Sequence, residues 1–146
     1  MDSNPKVSII IPHYNNYNII KGCLKSIEKL TFKNFETIIV DNASSDDSFR
    51  LIKDNHSDVN LIQSKYNRGY AGGCNYGSNF AKGKYLLFLN NDTEQENDFI
   101  EPLVDFLDQN ENVCSVQPKI KNFNQKDKFD YAGASGGFID YLVFPF

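Results

Sequence analysis

YLLFLNNDT, Tyr85 to Thr93, is the stretch on which the fold turns. Its first five residues are apolar without interruption. Such a run fits a strand covered on both faces, the kind that parallel sheets place between two layers of helix. No Gly or Pro separates it from Asn90, Asn91 and Asp92. Open parallel sheets hold ligands just outside the carboxyl ends of their strands, so a buried strand that stops on two amides and a carboxylate predicts a binding site there.

Similar runs lie on either side. Val7 to Ile11, Thr37 to Val40, Val59 to Ile62 and Val113 to Val116 recur, with Tyr85 to Leu89, at intervals of roughly 25 residues, enough for a strand and its crossover helix. Helical periodicity fills the gaps. Ile19, Ile20, Cys23, Leu24, Ile27 and Leu30 share one face, while Lys21, Lys25, Glu28 and Lys29 take the other. A second helix is expected from Ser44 or Ser45, since Ser44 and Asp47 have capping-box spacing. Another is expected from about Asp98, with Pro102 in its first turn. The segment from Gly72 to Lys82 stands where a helix belongs, yet it is made of Gly, Ala, Ser and Asn. Its smallness predicts tight packing or close approach of a ligand. The expected fold class is α/β, a doubly wound, mostly parallel, Rossmann-like sheet.

Composition excludes several function classes. The chain has 146 residues, 40% of them hydrophobic, which suits one core. A net charge of −4 with mixed signs offers no basic stripe for nucleic acid. Cys23, Cys74 and Cys114 are odd in number and widely spaced, so they read as buried thiols of a reducing compartment and neither as a disulfide framework nor as a metal site. No run approaches the roughly 18 apolar residues of a membrane span, and Met1 to Lys6 lacks a signal peptide's apolar core. A cytoplasmic location is expected.

The remaining apolar runs also end on polar residues. The first stops at Pro12-His13-Tyr14-Asn15-Asn16, the second at Asp41-Asn42-Ala43-Ser44, and the third leads to Asn67-Arg68-Gly69-Tyr70. Any one of these reads as ordinary cap or turn chemistry. Four on one edge point to a site. His13 and His56 each stand alone, without a carboxylate at useful spacing, and read as structural or exposed.

Taken in order, Ile11-Pro12 through Tyr14-Asn15, Val40 to Ser44, Asn67-Arg68-Gly69 through Gly73, Asn75 and Gly77, and Leu89 to Thr93 resemble the nucleotide-sugar half of family-2 glycosyltransferases. The similarity covers about residues 6 to 120. Its Gly-rich third motif and its Asn-Asn-Asp resemble the rhamnosyltransferase-like branch. The resemblance implies a GT-A fold, a UDP- or dTDP-sugar donor, Mg²⁺ or Mn²⁺, and inverting transfer to a glycan or lipid-linked acceptor. It divides the chain into a donor-binding domain, residues 1–120, and a polar loop with an apolar C-terminal segment, 121–146, that begins an acceptor half.

The roles that the resemblance implies fall on single residues. Asp92 is the metal carboxylate, with Asn90 standing where the family usually has a second acid. Asp41 accepts the imide N–H of uracil or thymine. Pro12 and Tyr14 line the base, Asn67 and Arg68 lie beside base and diphosphate, and Gly69 and Gly73 let the backbone approach the nucleotide. Asn15, Asn42, Asn75 and Asn91 complete the cofactor-binding set. The catalytic base is unassigned, and truncation before the acceptor half would leave donor binding without transfer. Peripheral association with the inner face of the membrane and a homo-oligomer through Phe138 to Phe146 are the further partner expectations. A non-catalytic nucleotide-binding module, or regulatory remnant, is the alternative. A dinucleotide oxidoreductase is disfavoured because no G-x-G-x-x-G follows the first run.

Overall fold

Seven successive buried residues make β1 (Val7–His13) the centre of the sheet in the computed structural model, which describes residues 4–128. It pairs in parallel with β2 (Phe35–Asp41) along its whole length and, from Val7 to Ile10, with β4 (Tyr85–Phe88). The second of these ladders stops two residues before Pro12, so the missing N–H of that proline breaks no bond to β4. β3 (Asn60–Gln63) pairs with β2, giving the order β3-β2-β1-β4. The chain therefore steps outward from β1 to β3 and returns to the other side of β1. That reversal puts a topological switch point between β1 and β4, where an open sheet forms a crevice at its carboxyl edge.

Helices α1 (Tyr17–Ile27), α2 (Ser48–Asn55), α3 (Gly69–Ser78) and α4 (Ile100–Gln109) alternate with the strands. One face of the sheet gathers Ile10, Ile38 and Val40 with Ile62, Tyr76 and Ala81. The residues between them on the other face, Ile9, Ile11 and Ile39, are buried just as fully, so β1 and β2 are covered on both faces. The edge strand β4, contrary to the two-sided cover expected of Tyr85 to Leu89, leaves Leu86 and Phe88 44% and 46% exposed. α3 lies closest. A Cβ at Gly77 would stand 2.6 Å from Ile10 Cγ2 and 2.9 Å from Val40 Cγ2, and one at Gly73 would stand 2.9 Å from Pro12 Cβ. Packing therefore accounts for Gly73 and Gly77, whereas a Cβ at Gly69 would meet nothing within 4 Å. The chain divides into two units, Met1–Pro102 and Leu103–Phe146, and all of the site described below falls in the first.

Three further expectations need correction. Val113 to Val116 forms no strand among the described residues, because an apolar run becomes one only by pairing and this run has no ladder partner there. α2 starts at Ser48 and not at Ser44, for a reason that lies in the site. Cys114 is exposed, whereas Cys23 and Cys74 are buried as expected. The segment Phe138 to Phe146, with the homo-oligomer it suggested, lies outside the described residues.

Candidate functional site

At the carboxyl ends of β1 and β2 two loops are laced together. Asn15, Asn16 and Ala43 all adopt left-handed φ, at 54°, 63° and 62°. Such backbone persists where its surroundings over-determine it. Here the Asn15 amide donates to Ser44 Oγ (2.9 Å), Asn15 Oδ1 accepts from the Ser45 amide (2.8 Å), and the Asn16 amide donates to Asp46 Oδ2 (2.7 Å). Asp46 Oδ1 accepts from the Ser48 amide (3.0 Å) and closes the turn into α2. Hydrogen bonds from Ser48, then from Asn16, hold this carboxyl below the ordinary range. With Ser44 and Ser45 engaged by Asn15, neither can cap α2, and the helix begins later. Asn15 thus holds the cradle together.

Asp41 ends β2 with no exposure. Its Oδ2 accepts from the Ser44 amide (3.2 Å) and from Gln63 Nε2 (3.3 Å), while Oδ1 is buried without a partner. Leaving a buried acceptor unmade costs about 1–3 kcal/mol, so this oxygen calls for a donor. Next to it, buried Asn42 donates to the Gly69 carbonyl (3.2 Å), and its own Oδ1 also lacks a partner. Pro12 is buried against Gly73, and Tyr14 is 48% exposed.

Across the switch point β1 meets the Asn-Asn-Asp loop. Asn91 Nδ2 donates to His13 Nδ1 (2.9 Å). Burial depresses the His13 pKa against the opposing pull of Asp41 and Asp46. With Nδ1 accepting, the ring proton sits on Nε2, which is buried and unpartnered. His13 belongs to the site, contrary to the expectation of a bystander. Its partner lies 78 residues away in sequence, beyond the reach of local motif spacing. The other histidine, His56, is buried away from these residues and bonded to the Tyr17 hydroxyl (3.1 Å).

Asn90 and Asp92 are exposed at the mouth of this crevice. Asp92 lies near enough to α3 to contribute to the raised pKa of Tyr70, about 12, for which burial is the main cause. α3 opens with left-handed Gly69 (φ 67°), whose amide donates to Asn67 Oδ1 (2.8 Å). No acidic side chain occupies its first turn. Asn75 sits exposed midway along the helix, where its carbonyl accepts from Asn79 Nδ2 (3.1 Å). Arg68 is committed elsewhere. Its guanidinium is sandwiched between Tyr66 and Tyr76, 4.5 and 4.2 Å from their centroids, and Nε donates to Ser64 Oγ (2.9 Å). The structure thus gives Arg68 a job in holding the β3–α3 turn. It brings Pro12, Asp41, Asn42, Gly69, Gly73 and Asn91 together.

The sequence profile described as glycosyl transferase family 2 matches residues 8–140. The chain belongs to glycosyltransferase family 2. A protein of Rickettsia felis named as an uncharacterized glycosyltransferase is 35% identical over 141 residues, covering 96% of this chain and 23% of that one. The Escherichia coli UDP-Glc:α-D-GlcNAc-diphosphoundecaprenol β-1,3-glucosyltransferase WfgD is 34% identical over 87 residues, 59% of this chain and 34% of the relative. Among solved structures, S. aureus TarS 1-349 in complex with UDP superposes with a TM-score of 0.65 at 25% identity, over 79% of this chain and 39% of that 1-349 chain. The fold is therefore of the GT-A type, and this chain of a family-2 glycosyltransferase spans a minor part of the length of these relatives.

Proposed function

We propose that this chain is the donor-binding part of an inverting glycosyltransferase that takes a UDP- or dTDP-sugar with Mg²⁺ or Mn²⁺ and serves a glycan or lipid-linked acceptor. The observation that carries the reading is Asp41 Oδ1, a buried acceptor with no partner at the carboxyl edge of the sheet. Uracil and thymine present an imide N–H of the kind it needs. Pro12 and Tyr14 then flank the base, the laced Asn15–Ser44 loops shape its pocket, Gly69 keeps the start of α3 open to the diphosphate, and Gly73 lets α3 close on Pro12 and Asn42 beneath it. Asn42, Asn67, Asn75 and Arg68 stay in the proposed set, with Arg68 acting through the β3–α3 turn. Support for a uridine nucleotide and a lipid-linked acceptor comes from the names of the E. coli and S. aureus proteins. The rhamnosyltransferase-like branch rests on the spelling of the motifs alone.

The residues present fit a hard divalent cation in one way. Among the described residues no three His, Cys, Asp or Glu side chains cluster, so these residues form no complete protein cage. Exposed Asp92, with Asn90 two residues before it, offers the one or two oxygen ligands that such a cation takes when phosphates complete its shell. When bound, the ion would offset the charge of the leaving diphosphate. The chain's own part is to hold Asp92 at the crevice and Asp41 at the base.

Calorimetric titration with UDP, dTDP, GDP and NAD, each with Mn²⁺ and with EDTA, tests this. UDP and dTDP should bind more tightly than GDP and NAD, and far more tightly with Mn²⁺ than with EDTA. In Asp41→Ala the preference for pyrimidines should collapse, and in Asp92→Ala the dependence on metal should. Equal binding of GDP and UDP by the wild type would remove Asp41 from base reading.

A further inference from the structure

Between α1 and the Asn-Asn-Asp loop runs a single directed chain of hydrogen bonds. Ser26 Oγ, 8% exposed on α1, lies 2.6 Å from Gln95 Oε1 and 2.7 Å from the Cys23 carbonyl, so its one proton is shared between these two acceptors. Gln95 Nε2 donates to Thr93 Oγ1 (2.7 Å), and Thr93 Oγ1 donates to the Asn90 carbonyl (2.8 Å). The buried thiol of Cys23 leans on the same two acceptors, 3.7 Å from the Asn90 carbonyl and 3.9 Å from Gln95 Oε1. Burial, with Asp92 contributing, pushes that thiol up to about 12, so it stays protonated as a weak donor. Asn91 is tied separately to His13. The loop residues on both sides of Asp92 are thus fixed, and the exposed carboxyl of Asp92 is held out between them.

We infer that Gln95 is a positioning residue for Asp92: the Ser26–Gln95–Thr93 relay sets the loop so that Asp92 meets a cation held by a nucleoside diphosphate. Gln95 accepts from α1 through Oε1 and donates toward the loop through Nε2, so it joins the helix to Thr93, whose hydroxyl passes the bond on to Asn90. The inference rests on the proposed metal role of Asp92. A loop fixed before the ion arrives has less backbone freedom to lose when Asp92 meets it, so the ordering cost of binding falls.

The test uses the 146-residue chain with Gln95→Met, a neutral side chain of similar length, and with Ser26→Ala, Ser26→Thr and the Gln95→Met/Ser26→Ala double variant. Calorimetry with UDP is run with Mn²⁺ and with EDTA, and amide exchange is followed in metal-free protein. Gln95→Met should raise the Kd for UDP with Mn²⁺ by about tenfold, the usual effect of losing an outer-sphere partner, while leaving the Kd in EDTA unchanged. Ser26→Ala should act alike, the double variant should add little beyond either, and Ser26→Thr, which keeps the hydroxyl, should restore binding. Faster exchange at Asn91 to Thr93 with unchanged Kd would show a merely structural clamp and overturn the inference, as would equal losses with Mn²⁺ and EDTA. If wild type and Asp92→Ala bind UDP alike whatever the metal, the metal reading itself has failed, and the inference falls with it by a different result.

Discussion

His13 shows what a single residue can hide. In sequence it is one imidazole between a proline and a tyrosine. In the fold it is 1% exposed, bonded to Asn91, with its second ring nitrogen unpartnered. Its folded pKa lies below 6.5, mainly through burial. The unfolded chain therefore takes up a proton at a higher pH than the folded one does. The stability contributed by neutral, buried His13 is complete above 6.5 and is lost progressively as pH falls toward its folded value. Urea unfolding across this range should show stability declining below neutrality, and His13→Asn should flatten the decline. An unchanged slope in the variant would move its origin elsewhere. Asp41 was legible where His13 was not, because it closes an apolar run and its chemistry follows from that place, whereas His13 needs a partner from a distant loop.

Among the elements, strands were easier to read than helix starts. Four of the five apolar runs contain the paired strands of the sheet, since continuous burial leaves a mark on every residue of a central strand such as β1. The capping box at Ser44 misplaced the start of α2, because a hydroxyl that can cap a helix can equally serve a neighbouring loop. Asn15 claims both Ser44 and Ser45. α3 was read as small for one of two reasons, and the contacts of Gly77 with Ile10 and Val40 settle that position as packing. Gly77→Ala, although it raises helix propensity, should destabilise the chain by about 1–3 kcal/mol, the common cost of overfilling a packed core. Chemical denaturation would measure it. A neutral or stabilising result would mean that α3 can move off the sheet at little cost.

At the scale of the whole molecule, donor binding and transfer are separate requirements. Inverting transfer needs a base about 3 Å from the acceptor hydroxyl, and a useful base is one whose surroundings hold it there. Among the described residues after Asp92, Glu94, Glu96, Asp98, Asp105, Asp108, Glu111 and Asp127 are all exposed. Glu101 is the exception, and it accepts a short bond from Thr31 Oγ1, which also donates to the Asn97 carbonyl (2.9 Å). That arrangement fastens the loop before α4 to the segment after α1. The exposed acids lack the setting of a base, and Glu101, whose Oε2 is buried without a partner as Asp41 Oδ1 is, is held through Oε1 beside Thr31 and Asn97. With no exposed or half-buried acid among the described residues placed as that base, the 146-residue chain alone should bind UDP or dTDP with metal and yet release no nucleoside diphosphate from UDP-glucose or dTDP-rhamnose above hydrolysis, even with lipid-linked and soluble glycan acceptors present. A coupled assay for UDP or dTDP release would check this. Acceptor-dependent turnover would place a base within these residues, and loss of that turnover in Glu101→Gln but not in Glu94→Gln would single out the one carboxyl among them that the fold holds in place.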